Sequence, residues 1–510
     1  MNRVLKSAVL LSLMGLVVKF LGPLKNYLIA DRFGVSRTLD AYYLSQNVVD
    51  VVLAVVTFTI TVLVVPLFTE EAARRGEEKE ALLRSIDAFL CQTLLVAVVA
   101  CVLTAAFSQR IAGAVPGFAD ATVRADFVRI LRILSTNLLF AIPFSVIAGY
   151  LYSTLQVVLP SLLGNVALVV SLLFLLFTSR SLGVFSLPLG TVLGSALSFF
   201  LIFAAFLRHR DRFRFSLTDR TILKRIGGRL LPTMVFTTGG YVNLLVDQVV
   251  ASGIKGGAVS LLAYSQFLLL LPYTLVALPL LTALFPEMAR QKGERQRGET
   301  LNNGSLLLGL ALLPLLVGAL FFRTPLIELF YNHGEFPPGF VPEAAAILLA
   351  YAPTMVLLSA NNLLQRFFMA EGRMVLLMGL TLASNVANLA MDILFASRLS
   401  VVGIALATSL NETWYFVVMI WLLRKSLPEA FPSGFRRFLG LELLAASAMA
   451  ASLFLSTGVI ALPTPEKRLS LVAALAAHGG IALLIYLAVL LLLGRKRLLA
   501  LLGSRRAPGA

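Results

Sequence analysis

The chain has 510 residues, of which 58% are hydrophobic and only 14% are charged, and its mean hydropathy is +0.89. No soluble domain buries so much apolar surface, and runs of 18 or more apolar residues recur throughout, so a soluble fold is excluded. The net charge of +17 would suit nucleic acid, but the basic residues collect in short loops between apolar runs, so we expect no nucleic-acid partner. We predict an all-α polytopic membrane protein.

Apolar segments of about 20 residues each predict about fourteen transmembrane helices. The loops that follow even-numbered segments are rich in Lys and Arg, whereas the loops on the other side carry far fewer. The positive-inside rule therefore predicts that both termini are cytoplasmic. The first residues resemble a signal peptide in charge, but they lack a clear cleavage site, so we interpret them as the retained first span.

Short motifs recur at a nearly constant offset and indicate an internal repeat. The pairs are Ser45-Gln46 with Ser265-Gln266, Pro66 with Pro286, and Pro116-Gly117-Phe118 with Pro338-Gly339-Phe340. We predict two six-helix lobes in parallel repeat, 1–218 and 219–430, followed by two extra spans with a basic cytoplasmic tail over 431–510. Parallel repeats are typical of transporters, with the substrate site between the halves near the membrane midplane.

Two lysines lie within the first apolar run, Lys19 and Lys25, on either side of Gly22-Pro23. A charge at membrane depth costs about 2.5–3.5 kcal/mol, so such a residue usually faces a cavity. Pro23 removes one intrahelical hydrogen bond and favours a kink. We predict an anion site here; in the alternative, both ammonium groups extend to the membrane surface, which the depth of Lys19 disfavours.

A second polar group lies in the other half of the chain. Asp247 is in mid-span, Asn388 and Asp392 are four residues apart and share one helix face, and Thr408 follows in the next span. Buried aspartates need a partner or a proton. These oxygen donors suit a small hard cation. A pair of protonated aspartates bonded between helices explains the pattern equally well.

Signals for catalysis are weak. The three histidines lack metal-ligand spacing, and no phosphate-binding glycine-rich motif is present. The two cysteines share one apolar segment and predict no disulfide. Acids on the outer loops are better explained as solvated loop residues than as a glycosyltransferase site: Asp120, Asp126, Glu328, Glu335 and Glu343. We expect a protein that is not an enzyme and requires no cofactor.

Ordered motifs along the whole chain resemble those of the MurJ (MviN) family, the lipid II flippases of the MOP exporter superfamily. The similarity runs from about residue 5 to the carboxyl terminus. It rests on Leu21-Gly22, Phe33-Gly34, Asp40-Ala41, Pro116-Gly117-Phe118-Ala119-Asp120, Leu329-Phe330 and Gly334-Glu335-Phe336. The resemblance implies fourteen spans, two six-helix lobes with a cationic central cavity, and a groove beside the last two helices for a polyprenyl tail.

The resemblance also assigns roles to residues. Lys19 and Lys25 stand where the family has arginines, and Asn26 stands where it has an acid, which implies substrate binding by these three residues. Asp40 matches a family aspartate, and we expect it to act in gating by pairing with basic groups in one access state. Some members carry a sodium site at the positions of Asp247, Asn388, Asp392 and Thr408, with a backbone carbonyl from Ile404, which implies a bound Na⁺.

The sequence departs from the family pattern at three further positions. Phe267 replaces a cavity arginine, and apolar residues around Leu53 and Val56 replace a charged pair. Lysine in place of arginine also lacks the planar guanidinium group that forms bidentate hydrogen bonds with phosphate oxygens. We therefore expect a less cationic cavity than is usual in the family.

These features predict a flippase in a bacterial cytoplasmic membrane. It would move the undecaprenyl-diphosphate-linked peptidoglycan precursor, lipid II, from the inner to the outer leaflet by alternating access. The alternatives are export of another polyprenyl-linked oligosaccharide, such as an O-antigen or exopolysaccharide unit, and multidrug antiport. A membrane glycan polymerase is less favoured because the buried charges lie at inner and middle depth. Expected partners are the polyprenyl-diphosphate-linked glycan lipid, membrane lipids and cell-wall synthesis proteins.

Overall fold

The computed structural model describes most of residues 20–503. The gaps are 65–66, 69–76, 154–157, 209–212, 292, 429, 460–462 and 464–466. Lys19 and Pro66 therefore lie outside the described residues. The described part is helical and contains no strand.

The first eight helices are bounded as follows: α1 20–33, α2 Arg37–Thr59, α3 Glu77–Ala114, α4 Ala121–Ser135, α5 Leu138–Ser153, α6 Val158–Leu182, α7 Ser186–Arg208 and α8 Thr221–Ser252. The other eight are α9 Ala258–Pro272, α10 Leu278–Arg290, α11 Glu294–Phe321, α12 Arg323–Phe330, α13 Val341–Ala370, α14 Met374–Ser426, α15 Ser433–Val459 and α16 Arg468–Gly503. Single π-helical turns continue α2 over Ile60–Val64 and α9 over Tyr273–Ala277.

Ten segments of the described chain are long and apolar enough to cross a membrane. Two of them are double: Val158–Arg208 comprises both α6 and α7, and Met374–Ser426 contains a break at Ser400. With α1 and α8, these helices are consistent with the predicted fourteen spans. The fold is that of a polytopic helical membrane protein.

The break in α14 has a local cause. Ser400 adopts a φ of 58°, in the left-handed region, and this residue separates the two helical parts of α14. Gly403 then lies against the carbonyl of Phe395, where a Cβ would collide. A glycine is needed here because only a residue without a side chain allows the backbones to approach so closely. The long apolar stretch thereby forms two membrane-crossing helices.

The chain packs as two compact units. The first unit extends to Ser260 and includes Thr381–Asn385, and the second comprises Leu261–Leu380 and the chain from Val386 onward. Buried aromatic and aliphatic side chains form the core of each; among them are Phe68, Phe89 and Phe206 in the first, and Phe438, Leu453 and Tyr486 in the second. The two lobes over 1–218 and 219–430 and the two extra spans over 431–510 stay a prediction.

The repeated serines make equivalent hydrogen bonds within their own units. The Ser45 hydroxyl donates to the backbone carbonyl of Phe127 at 3.4 Å, and the Ser265 hydroxyl donates to the carbonyl of Ala344 at 3.1 Å. Both serines are fully buried. Because a buried hydroxyl without a partner is costly, each serine fixes the register of its helix against a neighbour.

The repeated Pro-Gly-Phe motif also forms the same local structure twice. It is a single 3₁₀ turn in each case, over Pro116–Phe118 before α4 and over Pro338–Phe340 before α13. After the first turn, Asp120 caps α4 by accepting the amide of Thr122 at 2.7 Å. Amide hydrogen bonds from Thr122 and Val123 lower the pKa of the exposed Asp120 carboxyl. The outer-loop acid at position 120 is therefore a helix cap.

Candidate substrate and ion sites

Lys25 lies in α1 as a half-buried cation of the first unit. The negative charge of Asp50, in the middle of α2, acts on Lys25. Gln46, one turn before Asp50, donates from Nε2 to the Asp50 Oδ1 atom at 2.9 Å. The glutamine orients the carboxylate and satisfies part of its hydrogen-bonding capacity, as a carboxylate at membrane depth requires.

Asp50 borders a cavity of about 320 Å³ within the first unit. Three helices line it, contributing Asp50, Leu53, Ala54 and Thr57 from α2, Ala141 from α5 and Tyr241 from α8. Leu53, one of the positions at which this sequence departs from the family pattern, thus lies in the cavity wall, about one helical turn from Asp50. The Asp50 carboxyl borders the cavity, and its charge acts on Lys25, which is not among the residues that line the cavity.

Asn26 makes a local contact. Its side-chain Nδ2 donates to the backbone carbonyl of Gly22 at 3.2 Å. This is a bond within one helical turn, and it occupies the amide of Asn26 with its own helix. A role for Asn26 in substrate binding stays a prediction, as does the role of Lys19.

Asp40 lies at the beginning of α2 and is 3% exposed. Its Oδ2 atom accepts the amide of Gly257 at 2.6 Å. Its Oδ1 atom accepts both the amide and the hydroxyl of Ser260, at 2.7 Å and 2.6 Å. Arg37, on the same turn of helix, adds a favourable positive charge. Asp40 therefore caps the beginning of α9 from a different helix.

The backbone at this contact suits the aspartate. Gly257 adopts a φ of +86°, and a Cβ on it would collide with Val35. Only glycine can adopt this positive φ and also leave room for the Val35 side chain without strain. We expected basic partners for Asp40; in this state its hydrogen-bond donors among the described residues are two amides and a hydroxyl.

The five residues of the predicted cation site are divided between the units. Asp247 is buried in the first unit, and Asn388, Asp392, Ile404 and Thr408 are all buried in the second. Burial of two carboxyl groups, an amide and a hydroxyl in apolar helices fits the hard oxygen donor set that a small cation prefers.

Within the second unit these residues interact in pairs. Asn388 Nδ2 donates to Asp392 Oδ2 at 2.8 Å, so the expected shared helix face is present. The Thr408 hydroxyl donates to the carbonyl of Ile404 at 3.1 Å. The described residues contain no cluster of three or more His, Cys, Asp or Glu side chains placed to hold a metal. The predicted site has only two carboxylates, so this finding leaves the Na⁺ proposal open.

Several ionisable residues of the membrane helices were not predicted as site residues. Asp50 is one, and the second unit contains two more. Glu412 accepts from Asn361 Nδ2 at 2.6 Å, and the guanidinium of Arg366 lies 5.8 Å from the ring centroid of Phe285. The rule that a charge inside a membrane helix marks a functional residue would have found all three from the sequence.

Comparison with known proteins identifies the family. The family model described as "Lipid II flippase MurJ" matches residues 29–463. The chain is 24% identical over 431 residues to a probable lipid II flippase MurJ of Vibrio cholerae, covering 80% of this chain and 81% of that one. It is 25% identical over 412 residues to the lipid II flippase MurJ of Thermosipho africanus, covering 80% and 83%.

Solved structures show the same fold. A lipid II flippase MurJ in an inward closed conformation aligns with a TM-score of 0.81 at 22% identity, covering 96% of this chain and all of that one. An inward-facing MATE-family multidrug transporter of the MOP superfamily aligns with a TM-score of 0.67 at 15% identity, covering 82% and 96%. The fold is thus shared with this superfamily, and the match over residues 29–463 shows that the chain belongs to the MurJ family of lipid II flippases.

Proposed function

We propose that this protein carries lipid II from the inner to the outer leaflet of the bacterial cytoplasmic membrane by alternating access. Membership of the MurJ family and the names of the curated relatives support the proposal. The observation that carries it is a lysine within a membrane helix, Lys25, on which the charge of Asp50 acts, with Asp50 at the wall of a cavity in the first unit. A lysine at membrane depth is costly to insert, and such residues usually mark a substrate or ion pathway.

In this proposal the diphosphate of the substrate binds Lys25. The ammonium group is a compact point charge with three donors, so it contacts phosphate oxygens without imposing a fixed orientation. The Asp50 carboxylate attracts the Lys25 ammonium group while the site is empty, and the diphosphate displaces it when the substrate enters. Lys19, six residues earlier, would add the second positive charge that a diphosphate requires.

Asp40 serves as the gate in the same proposal. Its contacts with Gly257 and Ser260 tie the beginning of α2 to the beginning of α9. A change between access states would release these bonds and let the carboxylate pair with a basic side chain instead. Such a switch is possible only if the two states differ in the free energy of this contact.

A bound Na⁺ would couple transport to an ion gradient. The proposed ligands are Asp247, Asn388, Asp392, Thr408 and the carbonyl of Ile404, all of which are buried oxygen donors. The membrane potential supplies about 2.3 kcal/mol per elementary charge per 100 mV. A cation that binds one access state more tightly biases the equilibrium towards that state. Protonated aspartates are the rival account of the same residues.

The basic loops place both termini in the cytoplasm in this proposal. The longest basic connection, between α7 and α8, is held against α3. The amide of Arg214 donates to Asp87 Oδ2 at 3.1 Å, and Gln92 donates to the carbonyl of Asp219 at 2.7 Å. A loop fixed in this way fits an ordered cytoplasmic surface of the first unit.

Complementation tests the proposed cargo. A bacterial strain depleted of its own MurJ should grow when it produces this protein, and should not grow when it produces Lys25→Ala at an equal membrane level. Rescue would fail if the cargo were a different lipid-linked glycan. In that case the unmodified protein would instead restore a strain lacking an O-antigen or exopolysaccharide exporter, and the lipid II proposal would be wrong.

A further inference from the structure

A basic pocket lies between the last two helices of the second unit. Its volume is about 540 Å³, and it opens where α15 begins and α16 nears its end. Four cationic side chains line it: Arg437, Arg495, Lys496 and Arg497. The remaining lining residues are Gly434, Phe438, Leu441, Leu492, Leu493 and Gly494. The predicted substrate and ion residues lie on other helices. The groove that the resemblance implies for a polyprenyl tail lies beside these same two helices, but no basic residue of the pocket was assigned to it.

The positive charge of the pocket is not neutralised within the described chain. Arg437, Arg495 and Lys496 are exposed and make no ion pair with a described acid. Arg497 donates to the side-chain oxygen of Asn303 on α11 at 3.0 Å, a neutral partner. Cations gathered without acids repel one another, so a bound anion would stabilise this arrangement.

The other side of the pocket is apolar and meets the membrane. Phe438 is buried at its base, where Gly494 allows α16 to pass close to the aromatic ring. Leu492 and Leu493 are 82% and 58% exposed, as expected for side chains in contact with acyl chains. The ligand must therefore be an anion at one end and a hydrocarbon at the other.

We propose that this pocket binds the phosphate headgroup of an anionic phospholipid of the inner leaflet. Basic pockets between membrane helices on the cytoplasmic side have this property, because headgroup phosphates lie at the depth where the basic side chains end. The site goes beyond the proposed transport of lipid II and rests only on the proposed orientation of the termini. An occupied headgroup site would hold the beginning of α15 and the end of α16 together.

The test uses the full-length purified protein in neutral detergent. Phosphatidylglycerol, phosphatidylethanolamine and inorganic pyrophosphate are titrated separately, and binding is followed by native mass spectrometry and by the melting temperature. The pocket variant is Arg437→Gln, Arg495→Gln, Lys496→Gln. The control variant, Arg424→Gln, Lys425→Gln, Arg436→Gln, loses the same charge at neighbouring positions that do not line the pocket.

We expect phosphatidylglycerol to bind and to raise the melting temperature, with a roughly 100-fold weaker apparent affinity in the pocket variant and an unchanged affinity in the control. Leu493→Glu, which keeps all four cations, should also weaken binding. An equal loss in both triple variants would show non-specific charge attraction and overturn the proposal. Saturation by pyrophosphate without preference for the lipid would overturn the assignment to a headgroup. Neither result bears on lipid II transport, which complementation measures independently.

Discussion

The carboxyl group of Asp40 accepts both the amide and the hydroxyl of Ser260, at 2.7 Å and 2.6 Å, across 220 residues of sequence. Together with the amide of Gly257, these donors surround a side chain that is almost fully buried. Charge-assisted hydrogen bonds of this kind are stronger than neutral ones. The contact is therefore a strong link between α2 and α9.

Asp40→Asn should weaken this link, since the neutral amide is a poorer acceptor and its NH₂ group faces other donors. We expect a loss of roughly 1–3 kcal/mol of stability and a shift in access state. Cysteine crosslinking across the outer mouth measures the shift, and thermal melting measures the stability. Asp120→Asn, at an exposed helix cap, is the matched control. An unchanged balance of inward and outward states in Asp40→Asn would count against the gate.

A second prediction concerns the loop before α8. The Ser85 hydroxyl donates to Asp219 Oδ2 at 2.6 Å, and the amide of Thr221 donates to Oδ1 at 2.8 Å. These bonds, the Ser85 bond first, lower the pKa of Asp219 below its ordinary value. The carboxylate thus stabilises the fold fully above the unfolded pKa of about 3.9, and this contribution is lost as the pH falls through the lower folded pKa.

Asp219→Asn should therefore lower the melting temperature at pH 7, by the equivalent of about 1 kcal/mol, and the difference should shrink below about pH 4. Ser85→Ala should have a similar effect. Because the two groups share one hydrogen bond, the double variant should lose less than the sum of the single losses. Strictly additive losses would show that the two residues act independently.

The helical class was predictable because it depends on local patterns. Hydropathy predicted the membrane helices, whereas the equivalent hydrogen bonds of Ser45 and Ser265, which the repeated motif pairs, emerged only from the structure. Resemblance predicted the MurJ family, and the family match over residues 29–463 confirms it. Since flippases are transporters, the prediction of a non-enzymatic protein is confirmed as well.

The cavity could not be predicted from the sequence, because it is formed by contacts between helices that are far apart along the chain. Asp50 was predictable as a charge in a membrane helix, but its neighbour Tyr241 lies 191 positions away and reaches the cavity only through packing of α8. The basic pocket is similar, because packing of α15 against α16 places Arg437, near the beginning of one helix, beside Arg495, near the end of the other. Positive-inside loops predicted the charges but not their convergence.

A third prediction concerns Glu442 on α15. Its side chain is fully buried, and neither carboxyl oxygen has a hydrogen-bond partner among the described residues. Gly309 on α11 packs against it, where a Cβ would come within 2.5 Å of Glu442 Oε2. A polar group buried without a partner costs about 1–3 kcal/mol. Glu442→Leu should recover that amount and raise the melting temperature.

Glu442→Gln is the matched control, since it keeps the size and the buried polar atoms and should give little gain. Both variants retain the glycine contact. A lower melting temperature for Glu442→Leu than for the unmodified protein would show that the carboxyl group has a stabilising role that its contacts do not explain.

A fourth prediction concerns the cation. Sodium should protect the purified protein against heat and potassium should protect it much less, because the oxygen donors suit a small hard ion. Asp392→Asn should lose this protection, since the carboxylate supplies the charge. Glu335→Gln, at an exposed loop acid, should keep it. Equal protection by both ions, or full protection in Asp392→Asn, would favour protonated aspartates.

The central claim is that Lys25 binds the diphosphate of lipid II. The most direct measurement is the exposure of lipid II on the outer leaflet of MurJ-depleted cells that produce this protein, followed by cleavage with an externally added lipid II-degrading enzyme. Lys25→Ala should abolish the exposed pool at an unchanged protein level, whereas Lys25→Arg should keep most of it because the charge remains. Normal exposure in Lys25→Ala, and above all in the Lys19→Ala, Lys25→Ala double variant, would contradict the account.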